Sequence, residues 1–382
     1  MKTYRPLLGL LATAICLYAL NACSGHNRQI TLSGYAVRYL ASDGTAAGGI
    51  AADNTDAHLK NAWGLVFNPA GFVWVADNGT SVVTLYDGAG VLQPSPIVSL
   101  APAANGNAAN PTGIVYNGTA DFVLTQGSSS SPALFLFDGE GGTLAAWNPA
   151  TGNGAQTVHD DGTGGAVYKG LAIGNNAGAN FLYATDFHNN KIDTFDTTFA
   201  KVTTTGGFAD ATIPAGFAPF GIQNIGGRLY VTYAQQDAVA HDNLSGPGLG
   251  YVDLFDLNGV LIRRVASGGA LNAPWGVALA PANFGVLSND LLIANFGDGL
   301  IDAYDPATGA FVRSLNSVAP PAGVAITISG LWGIAFGNGL PGQPTNTLFF
   351  AAGSNREVNG AYGRIDSTSV TITPGTGGYG GG

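Results

Sequence analysis

Six positions in this chain combine residue type with regular spacing in a way that could do chemistry. Each immediately precedes a glycine and a short apolar run: Trp63, Thr112, Lys169, Phe220, Trp275 and Trp332. A second set closes the β-rich run that follows each of these glycines, namely Asp77, Gln126, Asp186, Tyr233, Asn295 and Ala352. If both sets meet at one mouth, aromatic faces lie beside carboxylates and amides. Such a surface suits a protein, peptide or carbohydrate ligand, or a cation in a partly apolar pocket. Asp77, Asp186 and Asn295 carry oxygen ligands of the kind that hold Ca²⁺ or Mg²⁺. The alternative is structural, with tryptophans packing between repeats and polar strand ends capping loops.

Other chemistry-bearing residues are scattered. His26, His58, His159, His188 and His241 lack metal-ligand spacing. His188, two residues after Asp186, is best placed for proton transfer, and against that stands the ordinary state of a loop histidine, which is solvated. The insertion 235–250 carries Asp237, His241 and Asp242 and reads as a lid over one face or as a plain surface loop. No serine-hydrolase elbow, zinc-protease helix or phosphate loop is present.

The elements that must position these residues follow from the repeat. The glycines at 64, 113, 170, 221, 276 and 333 stand 49 to 57 residues apart, close to the propeller-blade period of about 50. Each is followed by a second run, among them Val73-Trp74-Val75-Ala76 and Phe122-Val123-Leu124-Thr125, and by a third ending in Tyr86-Asp87, Phe137-Asp138, Phe195-Asp196, Phe255-Asp256, Tyr304-Asp305 or Ile365-Asp366. The aspartates read as turn residues accepting from amides two positions on, with Gly88, Gly139, Gly259 and Gly309 supplying positive φ. Outer strands at 96–100 and 260–265 complete a four-stranded meander. The expected fold is therefore all-β, a six-bladed β-propeller of four-stranded antiparallel blades spanning 35–374. The N-terminal strand 35–40 closes the last blade and hides its edges, and 369–373 competes for the same place. Residues 375–382 read as a Gly-rich tail.

Met1-Lys2-Thr3-Tyr4-Arg5, the apolar run to Leu20 and the stretch Leu20-Asn21-Ala22-Cys23 read as a signal peptide over 1–22. The ending resembles a bacterial lipobox with Cys23 acylated and 23–34 as tether; the alternative is an ordinary cut near Ala22. Ser24 then points to the outer membrane, facing periplasm or exterior, with the lipid as the sole membrane attachment. The chain has 2 cysteines, Cys16 and Cys23, so the part after the cut cannot form an internal disulfide. Beyond residue 22, 12 basic residues face 24 acidic ones, which argues against a nucleic-acid partner.

The segments 73–87 (VWVADNGTSVVTLYD) and 182–196 (LYATDFHNNKIDTFD) resemble NHL-type propeller repeats, and the whole chain is similar to uncharacterised exported bacterial six-bladed propellers. A more distant similarity is to gluconolactonase and senescence-marker propellers, which implies a channel metal held by Glu, Asn and Asp, and lactone hydrolysis. The chain has two glutamates, Glu140 and Glu357, neither at the start of an inner strand, where that family places its ligand. The leading expectation is a binding or scaffolding propeller using its channel mouth. A metal-dependent hydrolase or lyase comes second, and a purely structural envelope protein third.

Overall fold

The computed structural model describes residues 30–319 and 322–372. The signal peptide, Cys23, His26 and the tail 375–382 lie outside the described residues. The described residues contain strands and five short 3-10 turns, with no α-helix.

Six sheets form the blades. Blade I runs Ala62–Phe67, Val73–Asp77, Val82–Tyr86 and Val98–Ser99, from the channel outward. Blade III runs Tyr168–Asn176, Ala179–Asp186, Lys191–Phe195 and Lys201–Val202. Blade IV runs Phe217–Ile225, Arg228–Gln236, Tyr251–Phe255 and Leu261–Ser267, and blade V runs Pro274–Leu279, Leu291–Asn295, Ile301–Tyr304 and Phe311–Ser314. Blade VI begins with Leu331–Phe336, Thr347–Ala352 and Ala361–Ile372, and its fourth strand is the N-terminal Ile30–Ser42. The two segments expected to compete for that edge are thus both used, 369–372 as the end of the third strand and the N-terminal strand outside it. Tyr35 fastens the closure, its hydroxyl donating to the Phe284 carbonyl (2.9 Å) and accepting from the Leu287 N–H (3.0 Å).

Blade II departs from the expected order. Its inner strand Pro111–Tyr116 pairs with Phe135–Gly139, followed by Thr143–Trp147 and Gln156–Asp160. The run at 122–125, expected as the second strand, belongs to an inserted hairpin, Val123–Gln126 with Ser129–Pro132, that leaves the blade. Gln126 is exposed in that hairpin and does not reach the channel mouth.

Alternating side chains bury both faces of each blade. In blade VI, Leu348, Phe350 and Ala352 pack toward blade V, while Phe349 and Ala351 pack toward blade I. Six apolar clusters fill the spaces between successive blades, and a seventh lies on the axis. The repeat glycines let the inner strands converge. A Cβ on Gly221 would come within 2.1 Å of the Trp275 carbonyl, and one on Gly333 within 2.6 Å of that of Trp63.

Four of the six turn aspartates behave as expected: Asp87, Asp196, Asp256 and Asp305 each accept from two backbone amides. Asp138 and Asp366 do not. Asp138 is buried in the second strand of blade II, accepting from the Gly113 N–H (2.6 Å) and the Thr112 hydroxyl (2.9 Å). Asp366 lies within a strand and pairs with Arg364. Positive φ after the first and second of these aspartates falls on Gly90 and Gly142, not on Gly88 and Gly139.

Candidate functional site

Four of the six residues that precede the repeat glycines meet on the axis and close it. Trp63 stacks on Trp332 with ring centroids 3.5 Å apart, and Trp275 meets both edge-on at 5.9 Å. Phe220 lies 5.7 Å from Trp332, and Phe296 stacks on Trp332 at 4.0 Å. The four residues of the repeat position are at most 9% exposed. The expected aromatic mouth is therefore an aromatic plug. Its rings satisfy one another across the axis and are not free faces for a ligand, because burying them removes large apolar areas from water.

The plug divides the channel. On one side is an open well of ≈ 670 Å³, walled by apolar side chains from all six inner strands, including Phe67, Leu171, Val277 and Phe336. On the other side, the loops that join second to third strands and lead into inner strands gather a polar centre around Lys169. Its side chain is 1% exposed, with the ammonium 5.1 Å from the Trp63 ring and donating to Glu140 and to Asp242 (3.3 Å). Burial alone would lower the Lys169 ammonium, but the Glu140 and Asp242 carboxylates outweigh it and hold it above its ordinary value.

Hydrogen bonds extend this centre across blades. Glu140 accepts from Asn78 (2.9 Å), Asn78 accepts from Asn61 (3.1 Å), and Asn61 accepts from the Trp332 indole N–H (3.2 Å). Asp242, from the insertion 235–250, takes a proton-bearing partner in His241 (3.0 Å); that bond, ahead of Lys169, holds its carboxyl down to about 2. His241 is raised by the same bond. Glu357 is half-buried in the loop after the second strand of blade VI. Desolvation, then the charge of Glu140, push its carboxyl up to about 7, against the pull of Lys169. The insertion thus places the Asp242 carboxylate against the Lys169 ammonium.

Of the residues closing the second strands, Asp186 and Asn295 are loop fasteners. Asp186 accepts from the Val167 and Asn189 N–H groups (both 3.2 Å) and from the Asn189 amide (2.8 Å). Asn295 accepts from the Asn272 N–H (3.0 Å) and donates to Asp302 (2.8 Å). Asp77 is buried within blade I, where it accepts from Thr84 (2.7 Å), and desolvation raises its carboxyl well above its ordinary value. Tyr233 is buried between blades III and IV. Thr112 bonds Asp138 and the Tyr168 carbonyl (2.9 Å). His188 is exposed.

Asp77, Asp186 and Asn295 consequently do not form one ligand set for a divalent ion. Among the described residues, two groups do bring ligand atoms within 4.8 Å of one another: Glu140 with His241 and Asp242, and Asp161 with Asp186 and Asp193. In the first, the Lys169 ammonium already binds both carboxylates; in the second, Lys191 binds Asp186 and Asp193, and Lys201 binds Asp161 and Asp193. A lysine serves as counter-ion in each, and a divalent cation beside it would meet like charge. These residues do not fit the metal that the gluconolactonase resemblance implied.

Glu140 and Glu357, which the sequence marks only as lying away from the expected metal-ligand position, and Asn61, which it does not mark at all, belong to this centre. The available signal was compositional: the chain's two glutamates stand in loops of the same face once blade II is correctly ordered.

No protein-family profile matches the chain. The uncharacterized protein R648 of Acanthamoeba polyphaga mimivirus is 32% identical over 357 residues, covering 91% of this chain and 83% of that protein. The uncharacterized protein L690 of the same virus is 33% identical over 334 residues, covering 84% of each. A structural-genomics protein of unknown function from Bacteroides thetaiotaomicron superposes with a TM-score of 0.54 at 12% identity, covering 89% of this chain and 77% of that one. That likeness concerns the fold alone.

Proposed function

The chain belongs to the family that includes those two mimivirus proteins, and within it we propose a ligand-recognition propeller whose site is the loop face above the aromatic plug. One observation carries this reading: the chain's two glutamates, from blades II and VI, lie within electrostatic reach of each other and of one buried lysine. Burying a charged lysine and a carboxylate side by side is expensive and rarely improves stability over apolar packing. Here four side chains from blades II, III, IV and VI share that cost, which suits a recognition surface better than a fold-stabilising one. Asp242 and His241 remain about half-exposed or more and are available to a ligand.

A thermal-shift screen with sugars, sugar acids, amino acids and short peptides tests it. Compounds that stabilise the protein should lose their effect in Asp242→Asn and Glu357→Gln, and keep it in Leu279→Trp, which enlarges an exposed side chain lining the opposite well. Hits lost only in Leu279→Trp would point to recognition at the well and overturn the proposal.

A hydrolase or lyase on the same face is the second reading, favoured by the Glu357 carboxyl near 7, where a group can both give and take a proton.

Export and attachment to an envelope membrane through acylated Cys23 belong to the same proposal and rest on the pattern from Met1 to Cys23. Among the described residues no helix is long and apolar enough to cross a membrane. Intact-mass analysis of the parent and of Cys23→Ala would read the lipid directly.

A further inference from the structure

We infer that the cleft beside the polar centre, between blades V and VI on the loop face, takes a sugar acid, a pyranose ring that carries a carboxylate. The inference rests on the loop-face reading and adds the chemistry of the ligand. The cleft encloses ≈ 290 Å³ and is lined by Ser245, Phe296, Asp298, Thr327, Ser329 and Arg356 among others. That volume lies at the lower end of the roughly 300–1,000 Å³ of small-molecule sites, which suits one ring and not an oligomer.

Three features define the ligand. First, the Phe296 ring is stacked on Trp332 with an interplanar angle of 20°, so it is held flat, and it is only half-buried. It offers an apolar platform to the C–H face of a sugar ring, unlike the plug rings beneath it.

Second, the charge that lacks a partner here is a cation. Asp298 accepts from Asn272 (3.2 Å) and from the Leu300 N–H (3.1 Å), while Glu140 and Asp242 share Lys169. Arg356 is exposed and makes no ion pair or hydrogen bond among the described residues. Its planar fork matches a carboxylate with two parallel hydrogen bonds. Third, the exposed Thr327 and Ser329 hydroxyls make no side-chain hydrogen bond among the described residues, and Asp298 keeps free lone pairs, which together match a ring bearing several hydroxyls.

The backbone supports a built site. Asn355, Arg356 and Glu357 have φ of 53°, 54° and 66°, three consecutive non-glycine residues in the left-handed region. Such conformations persist where the surroundings over-determine them, and they concentrate at ligand-binding segments. Here the turn puts Arg356 at the cleft and Glu357 at the polar centre.

Isothermal titration calorimetry of the purified protein with glucuronate, galacturonate, glucose, galactose and benzoate tests the inference. The expected result is that one of the two uronates binds at least tenfold more tightly than its neutral parent sugar and than benzoate. Arg356→Gln should remove that preference without altering neutral-sugar binding, and Phe296→Ala should weaken both. Equal binding of neutral and acidic sugars, equal binding of benzoate, or indifference to Arg356→Gln would overturn it. If other polar compounds still act through Asp242 and Glu357 while the uronates do not bind, the sugar-acid inference falls and the loop-face site stands; if nothing engages this face, both fall.

Discussion

The Lys169 ammonium lies 5.1 Å from the centre of the Trp63 ring, with the Glu140 carboxylate bonded to it. The aromatic plug and the polar centre are therefore one structure, in which the rings close the channel and supply the apolar side of the lysine's environment. The charge of Lys169 is compensated by the aromatic face below and by carboxylates from other blades.

Removing that charge should be costly. Lys169→Met leaves Glu140 buried without its ion-pair partner, and loss of one partner of a buried pair destabilises by about 3–5 kcal/mol. Denaturant unfolding at pH 7 should show this loss, and Lys169→Met with Glu140→Gln should recover a large part of it. If the single variant unfolds like the parent, the centre is not electrostatically coupled.

The stability of the fold should depend on pH through Glu357. Its folded value of about 7 lies above its ordinary 4.5, so the folded state holds the proton more tightly. The stabilisation this gives is complete below about 4.5 and is lost as pH rises through 7. Glu140, Asp242 and Lys169 are the charged groups that act on it. The melting temperature of Glu357→Gln should match the parent's at pH 4 and exceed it at pH 8. Asp138, raised by burial to about 7, has the same sign, and Asp138→Asn keeps an acceptor for the Gly113 N–H.

Close approach of the inner strands predicts a sharp contrast between glycines. Gly221→Ala puts a methyl 2.1 Å from the Trp275 carbonyl, whereas at Gly154 the nearest atom is 3.9 Å away. Thermal unfolding should show a loss of about 1–3 kcal/mol or more for Gly221→Ala, typical of overpacking, and little change for Gly154→Ala.

Because lysines serve as counter-ions in both carboxylate clusters, chelation by EDTA and later addition of Ca²⁺ or Mg²⁺ should leave the melting temperature unchanged. Asp186→Ala should destabilise by about 1–3 kcal/mol in either condition, since it frees the Val167 and Asn189 amides. A stoichiometric ion whose removal lowers the melting temperature would contradict this.

The fold was legible because each blade repeats the same local solution, a residue plus glycine opening an inner strand, as in Trp63-Gly64 and Trp332-Gly333. Blade II misled because the run at 122–125 has the apolar pattern and distance from Gly113 of a second strand, and periodicity does not distinguish an inserted hairpin from a blade strand. In the folded blade the residue that follows the second strand is Glu140, whereas Gln126 ends a strand of the inserted hairpin. The aromatic residues of the site were legible as a set, but their mutual packing was not, since side chains at equivalent strand positions turn either to a mouth or to one another. The polar centre was least legible. Lys169, Glu140 and Asp242 are bonded across 29 and 73 residues of sequence, and only ring closure brings Glu357 beside them.

The central claim, that recognition occurs on the loop face above the plug, is tested most directly by the indole N–H resonances of the ¹⁵N-labelled protein during titration with a ligand from the screen. Five tryptophans give five signals: Trp63, Trp275 and Trp332 lie in the plug, and Trp74 and Trp147 pack between blades I and II. The account predicts that Trp332, which bonds Asn61 and carries Phe296, shifts with the ligand while Trp74 and Trp147 stay fixed. A saturating ligand that leaves Trp332, Trp275 and Trp63 unmoved would contradict it.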